Sequence, residues 1–455
     1  MNTPNQQSSA AEKQSLKTEK YGADVHKLAA RQSPLKRIGK FWHQLGPGLT
    51  TGAADDDPSG IATYSQAGSQ FGFQLLWLAA FTFPLMALVQ EMCARIGVVT
   101  GRGLAANIRT YYPRYILYFC TTLLFIANVF NIGADLGIMA RATQLLAPKL
   151  NFGFLLVGFT VLSLVLQIFV SYARYAKILK WLALVLLAYV FTAFVVPNVQ
   201  WGDVLHHAVV PSLHFSKVQI LLICGILGTT ISPYLFFWQT SQEVEEEITE
   251  GKKTISLRQQ DVSPRLIRRM RIDTWVGMLF SNIVMFFIIL TGGAVLHTAG
   301  LTNIQSAADA ASALKPLAGQ GAFLLFTIGI VGIGLLAVPV LAGSAAYAVA
   351  ESFRWREGLY RKLKSAIAFY GIIAVAMLVG FVLNFIGLNP IKALIGAAVL
   401  NGIVAPVILY FIVSLSSKKN LMGKYVNGRW VRWLGWFTTV AMGVVAVASI
   451  GAIFI

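Results

Sequence analysis

The stretch TGAADDDPSG, residues 51–60, interrupts a segment that otherwise has the composition of a membrane-spanning helix. Three consecutive aspartates, residues 55–57, meet Pro58 between two apolar runs. A carboxylate inside a membrane costs at least ~2.5 kcal/mol, and proline breaks the helical hydrogen-bond ladder. Unsatisfied backbone at membrane depth is tolerated only where it lines a cavity or is buried in protein. The stretch therefore indicates a broken helix at a functional site, and a bound cation would best explain its carboxylates.

The composition is that of a polytopic membrane protein. Of the 455 residues 56% are hydrophobic and 12% are charged, with a mean hydropathy of +0.65, whereas soluble domains carry about 25% charged residues. Apolar runs of about twenty residues recur from Phe41 onward, each long enough to cross a ~30 Å hydrocarbon core. The net charge of +18 lies mainly between these runs, where it orients the chain in the bilayer. We expect lipid around the protein and no nucleic-acid partner.

Windows of about nineteen residues predict about eleven spans. They lie near 43–68, 73–98, 113–140, 153–172, 175–197, 217–242, 272–296, 320–350, 366–388, 391–415 and 430–453. Lys and Arg cluster in alternate loops, whereas loops 198–216 and 298–318 have almost none. The positive-inside rule then places the N-terminus inside and the C-terminus outside.

A second break occurs in the sixth predicted span, at GTTISPYLFF, residues 228–237. A lone proline in a membrane helix, such as Pro84, is often only a kink, but Pro58 and Pro233 both lie beside polar residues. The two breaks are five spans apart, at corresponding positions of two five-helix halves. An odd repeat inserts in opposite orientations, so the pattern predicts an inverted-repeat transporter with its site between two broken helices.

The predicted organisation has five parts. They are a disordered cytoplasmic tail at 1–40, a first repeat at 41–197, an extracellular loop at 198–216, a second repeat at 217–416, and a basic loop with an eleventh span at 417–455.

Other acidic residues have competing interpretations. Glu91 lies four residues before Arg95, which favours an ion pair on the helix surface. Asp135 is either an ion-pathway residue or the partner of Arg141. The glutamates at 243 and 245–247 favour a solvated helix end, although an acidic mouth that attracts divalent ions is the alternative.

Four segments together resemble the NRAMP family of divalent-metal transporters. They read GPGLTTGAADDDPSG, QAGSQFGFQLLW, ARIGVVTGRGLA and KKNLMGKYVNGRWVRWLGW, and the similarity extends from about residue 46 to 453. The resemblance implies an all-α LeuT-type fold with two inverted five-helix repeats plus one extra helix. It also implies import of a divalent metal by alternating access, in agreement with the two breaks.

The first-span break departs from the family pattern. In the family it reads Asp-Pro-Gly-Asn, and the Asp and Asn bind the metal. Here the corresponding residues are Asp57, Pro58, Ser59 and Gly60. By this resemblance, the chain has the family's carboxylate ligand and lacks its amide ligand.

The sixth-span break departs further. The family reads Met-Pro-His there, with the Met sulfur and an Ala carbonyl three residues earlier as ligands. The Met, Ala and His places fall on Ser232, Thr229 and Tyr234. A second family histidine falls on Gln239, and the family's third-span acidic pair falls on Asn131 and Ala134. A slip of one residue would bring Asp135 into that pair.

These departures favour Mg²⁺ as the substrate. A thioether is a soft ligand that favours transition metals, whereas hydroxyl, carbonyl and carboxylate oxygens suit Mg²⁺ or Ca²⁺. Mg²⁺ keeps several waters and is held by one or two carboxylates, which a widened site would accommodate. The chain thus resembles the NRAMP-related magnesium transporter branch, for which no proton coupling is expected. The implied metal-site residues are Asp57, Gly60, Thr229, Ser232, Asp56, Asp55, Tyr234 and Asn401, and the implied ion-pathway residues are Asp135, Asn131 and Gln239.

Within this site Asp57 is the expected main ligand, and Asp55 or Asp56 would hold water around the ion or line the pathway. The Thr229 backbone and the Ser232 hydroxyl would face Asp57, and Asn401 would contact metal-bound water. The membrane potential would drive uptake, at about 2.3 kcal/mol per elementary charge per 100 mV.

Two rival functions remain. One is an ordinary proton-coupled Mn²⁺/Fe²⁺ carrier with Asp135 in its proton relay; the other is a transporter-shaped sensor that moves no ion. The polar residues form no nucleophile and base set, so no enzymatic activity and no cofactor are expected. We expect a monomer in the plasma membrane, the inner membrane of a bacterium.

Overall fold

A computed structural model describes residues 46–170, 184–197, 199–214 and 216–454, and all regular structure within these ranges is helical. The predicted tail and the start of the fifth predicted span lie outside the described residues. The α-helices are α1 (Pro47–Asp55), α2 (Pro58–Phe71), α3 (Trp77–Thr100), α4 (Leu104–Tyr111), α5 (Arg114–Leu146), α6 (Phe152–Phe169), α7 (Leu187–Val195), α8 (Trp201–Val209), α9 (Lys217–Thr230), α10 (Pro233–Thr249), α11 (Ile255–Gln260), α12 (Pro264–Thr291), α13 (Ala307–Ala311), α14 (Lys315–Ala318), α15 (Ala322–Phe353), α16 (Ile367–Leu383), α17 (Pro390–Ser416), α18 (Lys419–Met422) and α19 (Arg429–Phe454).

The span count agrees with the sequence prediction. The described residues contain 9 helical segments long and apolar enough to cross a membrane, and Leu184–Val195 is a shorter apolar segment. The broken first span, α1 with α2, brings the total to the predicted eleven. The seventh span differs most, because α12 begins at Pro264 instead of near residue 272. Ser263 caps this helix start through the Leu266 amide, 3.3 Å away, so the helix extends beyond its apolar part.

Both predicted breaks are present. Helix α1 ends at Asp55 and α2 begins at Pro58, with Asp57 as its N-cap. Likewise α9 ends at Thr230 and α10 begins at Pro233. Proline is suited to the first turn of a helix, where its missing N–H would have had no helical partner. Each proline thus starts a new helix after a short non-helical segment.

Helix α1 is held against α12 by unusually close backbone packing. A Cβ atom built on Gly52 would lie 2.2 Å from the carbonyl oxygen of Gly277. The spacing of Gly48 and Gly52 is the small-xxx-small pattern that lets membrane helices approach closely. Asp273 of α12 adds a polar anchor, accepting the Gly48 amide at 2.7 Å and the Leu49 amide at 3.3 Å. These contacts fix the short helix that leads to the aspartates.

Candidate functional site

The centre of the site is the carboxylate of Asp57, which is 1% exposed. Its Oδ1 accepts the Gly60 amide at 2.8 Å and the Ser59 hydroxyl at 2.6 Å, and so caps α2. Its Oδ2 accepts the Asn131 side-chain amide at 2.9 Å and the Tyr234 hydroxyl at 3.4 Å. Asp57 is thus held by groups from both broken helices and from α5, in a conformation closed to solvent.

The second break, between α9 and α10, contains hydroxyl and carbonyl oxygens. The Thr229 hydroxyl donates to the Tyr64 hydroxyl at 2.9 Å, and the Ser232 hydroxyl donates back to the Thr229 carbonyl. Tyr234 also donates to the Ala54 carbonyl at 3.0 Å, which joins the start of α10 to the end of α1. In this conformation the hydroxyl of Ser232 is bonded to its own segment, so an ion would have to compete for the Thr229 carbonyl.

Asp55 and Asp56 form a separate carboxylate pair. Both are buried, and both accept the hydroxyl of Ser281 on α12, at 2.5 Å and 3.2 Å respectively. The other oxygen of each carboxylate has no hydrogen-bond partner. The pair thus faces α12 with half of its oxygens unused. Sequence reasoning did not find Ser281, because nothing near it in the chain indicates its partner.

Asp135 on α5 is fully buried, and neither of its carboxylate oxygens has a hydrogen-bond partner. The pairing with Arg141, one of two sequence alternatives, is wrong: Arg141 donates to Gln144 at 3.0 Å and lies over the Phe152 ring at 4.3 Å. Asp135 is close enough to Asp57 for their negative charges to repel. A cation between them would relieve that repulsion. The ion-pathway role of Asp135 stays a prediction.

Two further predicted residues are buried amides with unused groups. Both polar atoms of Asn401 on α17 lack partners. Gln239 on α10 donates to Glu243 at 2.7 Å, while its own amide oxygen has no partner. Such groups suit ordered water or a hydrated ion, because a buried polar atom without a partner is costly.

The prediction of a solvated glutamate end on α10 is wrong for Glu243 and Glu247, which are buried, whereas Glu245 and Glu246 are half-buried. Glu243 is 4% exposed and Glu247 is 3% exposed. Helix α3 packs against Glu243, since a Cβ built on Gly97 would lie 3.2 Å from the Glu243 Cβ, and Glu247 pairs with Lys252 at 3.9 Å. Glu243 lies one turn from Gln239, so it extends the polar face of α10 toward the cytoplasm. The spacing of four residues between the two was the signal that could have identified it.

Glu91 has more partners than predicted. It pairs with Arg95 at 3.8 Å, as expected, but its closest partners are Arg271 at 2.9 Å and the Trp275 indole at 2.8 Å. The ion pair therefore also ties α3 to α12 at the cytoplasmic side.

The donor set suits a hydrated hard cation. Among the residues that the structure describes, no group of three or more His, Cys, Asp or Glu side chains converges into a metal cage. The partners of Asp57 are instead two hydroxyls and two amide groups, and the carboxylate of Asp135 is close enough to interact with it. A divalent cation that keeps several of its waters can be held by only one or two carboxylates.

Comparisons with known proteins agree with this architecture. Residues 48–452 match the sequence model of the family described as natural resistance-associated macrophage protein-like. The chain is 28% identical over 400 residues to the divalent metal cation transporter MntH of Klebsiella pneumoniae, covering 86% of this chain and 90% of the relative.

Solved structures share the fold. A crystal structure of the Eremococcus coleocola manganese transporter has a TM-score of 0.69 at 17% identity, covering 93% of this chain and 89% of that chain. Mhp1, a nucleobase-cation-symport-1 family transporter, has a TM-score of 0.53 at 16% identity, covering 90% and 91%.

Proposed function

Because the chain belongs to the natural resistance-associated macrophage protein family, we propose that it imports Mg²⁺, partly hydrated, by alternating access and without proton coupling. Transport of a divalent metal cation is the family-level function, carried here by a multi-pass membrane protein that is not an enzyme. The choice of Mg²⁺ and the absence of proton coupling are the specific parts of the proposal. We place the protein in the inner membrane of a bacterium, acting as a monomer.

The observation that carries the Mg²⁺ proposal is the oxygen character of the site. Ser232 stands where the family pattern has a methionine, and it presents a hydroxyl. Without a thioether the site loses the soft ligand that favours Mn²⁺ and Fe²⁺. Gly60 stands where the family pattern has an amide ligand and offers the ion no side chain; the ring of Tyr64 lies beside it, 3.2 Å from a Cβ built there.

Ion binding would rearrange the partners of Asp57. The Asn131 amide nitrogen and the Tyr234 hydroxyl now donate to Oδ2, and a cation at this oxygen would displace both donors. The amide oxygen of Asn131 has no partner, so rotation of the side chain would turn an acceptor toward the ion. The same hydroxyl donates to the Ala54 carbonyl at 3.0 Å, so movement of Tyr234 away from the ion would also weaken one of the links between α10 and α1. Ion binding and movement of the two broken helices are thereby linked.

The absence of proton coupling is supported by the residues that stand in place of the family's two histidines. Tyr234 and Gln239 stand at the two histidine positions of the family pattern. Neither changes its protonation near neutral pH. The import of Mg²⁺ would then draw on the membrane potential alone.

The second candidate function is a proton-coupled Mn²⁺ carrier. The relatives are named as manganese or divalent metal transporters, and Asp135 is a buried carboxylate beside Asp57 that could carry a proton. This function needs Asp135 to replace the histidines as the relay.

Flux into proteoliposomes separates the two functions. We would measure entry of Mg²⁺ and Mn²⁺ with an internal pH dye, for the native protein, Asp57→Ala and the matched control Asp203→Asn, whose carboxylate is exposed in the first turn of α8. Saturable Mg²⁺ entry without acidification, lost in Asp57→Ala and kept in the control, is the expected result. Mn²⁺ entry with protons and no Mg²⁺ entry would establish the second function instead.

A further inference from the structure

A cavity of about 950 Å³ opens between the ends of α3, α4, α10 and α15 and the loop 354–361. The positive-inside rule places this end of the protein in the cytoplasm. Its lining contains one lysine and six arginines against three glutamates. The arginines are Arg102, Arg109, Arg258, Arg354, Arg356 and Arg361. The transport site contains none of these residues.

Two of the three glutamates are already satisfied by neighbouring groups. Glu245 accepts the Tyr347 hydroxyl and the Leu359 amide. Glu351 accepts the Ala106 amide at 2.8 Å and the Ser241 hydroxyl at 3.1 Å. Their oxygens are committed to holding the walls of the cavity together and form no ion pair with its arginines.

The cavity arginines, in contrast, form no close ion pair within the described residues, although Arg109 and Arg361 face Glu357 at longer range. Across the described residues, the ion pairs at the cytoplasmic end use Lys252, Arg95, Arg269 and Arg271, and none of these four lines the cavity. Arg258 donates only to backbone carbonyls.

Two of the cavity arginines have guanidinium groups that could bind an anion. The Nε atom of Arg102 is buried without a partner, and Arg356 is exposed in the loop. The Arg102 head group makes only a 3.5 Å contact with Thr110. A buried donor without a partner is costly, so the Arg102 guanidinium is suited to an incoming acceptor.

Glu357, the third glutamate of the cavity, adds little negative charge at neutral pH. Burial, and then the adjacent Glu351 carboxylate, raise the pKa of Glu357 to about 9. Glu357 is therefore protonated at pH 7 and can donate a hydrogen bond instead of repelling an anion. The cavity is thus more positive than its composition suggests.

We propose that this cavity binds a phosphate-bearing anion from the cytoplasmic side. Guanidinium groups match phosphate oxygens with paired hydrogen bonds. The volume lies at the upper end of the roughly 300–1,000 Å³ range of small-molecule sites, which is ample for a nucleotide or a phospholipid headgroup. A cation leaving the transport site would be repelled by such a lining, so the cavity does not serve as a cation exit.

The bound anion would act on the helix that forms the transport site. Helix α10 lines the cavity near Glu245, and its first turn holds Tyr234 against Asp57. A ligand that joins α4, α10 and the end of α15 would restrain the α10 movement that the proposed transport cycle needs. The cavity is therefore a regulatory site.

Binding of ATP to the purified full-length protein tests this proposal. Calorimetry is done in EDTA, so that metal in the transport site plays no part and failure of the transport proposal would not affect the result. The test variant carries Arg102→Gln with Arg356→Gln, and the control is Arg114→Gln, an exposed arginine outside the cavity. We expect ATP to bind about ten-fold more weakly, or worse, to the double variant and with unchanged affinity to the control.

A second experiment, with lipids, distinguishes a nucleotide from a phospholipid headgroup as the source of the phosphate. Native mass spectrometry would compare retention of phosphatidylglycerol and phosphatidylcholine by the same three proteins. Loss of phosphatidylglycerol from the double variant alone, with no ATP binding, would support the proposal with a lipid headgroup as the ligand. If neither ATP nor phosphatidylglycerol binding depends on Arg102 and Arg356, the proposal is overturned.

Discussion

At the scale of single residues, Asp57 combines a structural and a functional role. Its Oδ1 caps α2, and its Oδ2 is held by Asn131 and Tyr234. The cap fixes the carboxylate in place, because the Gly60 amide of the first turn would otherwise lack a partner. Only the second oxygen is then available to an ion, which agrees with a partly hydrated cation.

Ser232→Met tests whether the missing thioether sets selectivity. Restoring a soft ligand should raise the ratio of Mn²⁺ to Mg²⁺ flux by about ten-fold, since about 1.4 kcal/mol of preference gives that factor. Competition flux in proteoliposomes measures the ratio. Ser232→Ala is the control, because it removes the hydroxyl without adding sulfur. An unchanged ratio in Ser232→Met would mean that residue 232 does not contact the ion.

At the scale of elements, the short helix α1 is the part of the site whose packing is most restricted. Its glycine face approaches the α12 backbone closely, and Asp273 holds its first amides. The end of α1 also accepts the Tyr234 hydroxyl at Ala54. Opening of the site toward the cytoplasm would require these contacts to separate.

Gly52→Ala should destabilise this closed arrangement. The added Cβ would lie 2.2 Å from the Gly277 carbonyl oxygen, and overpacking of this kind costs about 1–3 kcal/mol. We expect a lower melting temperature and faster hydrogen exchange in residues 47–55. Gly158→Ala is the control, since a Cβ there meets nothing within 4 Å. Equal melting of the two variants would show that α1 does not pack this closely on α12.

At the scale of the whole molecule, charge is distributed by function. Carboxylates lie inside the helical bundle at residues 55–57 and 135, whereas the cytoplasmic cavity is lined by six arginines that form no close ion pair in the described part of the chain. The two regions are connected by α10. A cation site and an anion site on one helix would allow cytoplasmic anions to control metal uptake.

The raised pKa of Glu357, about 9, predicts the pH dependence of anion binding. The phosphate's last ionisation, near pH 6, is complete below this range. As pH rises through about 9, Glu357 gains a negative charge, so ATP affinity should fall more steeply in the native protein than in Glu357→Gln. In the variant only Glu245 and Glu351, whose pKa values burial raises to about 7, still gain charge. The other charged groups facing it are Glu351, Glu245, Arg109 and Arg361. Calorimetry from pH 7 to 10 measures the difference, and parallel losses in both proteins would contradict the assignment.

The same pKa shift acts on stability with a known sign. The folded state keeps a proton on Glu357 that the unfolded chain loses above its ordinary pKa of 4.5. Stability from this group therefore falls as pH rises between 4.5 and about 9.

The sequence by itself determined the membrane class, the number of spans and the position of both helix breaks. Carboxylates and prolines inside apolar runs are so costly that their positions alone predict broken helices. The sequence pattern also identified Asp57 as the central carboxylate candidate, and the structure places it between both breaks.

Only the tertiary structure decided which partner each polar group has. Asp55 and Asp56 share Ser281, more than two hundred residues away. Asp135 does not pair with Arg141, and Glu243 and Glu247 near the end of α10 are buried. Charge and local spacing predict such partners only within one helix. Contacts between helices depend on how closely their backbones pack, and here that distance is set by glycines on facing helices.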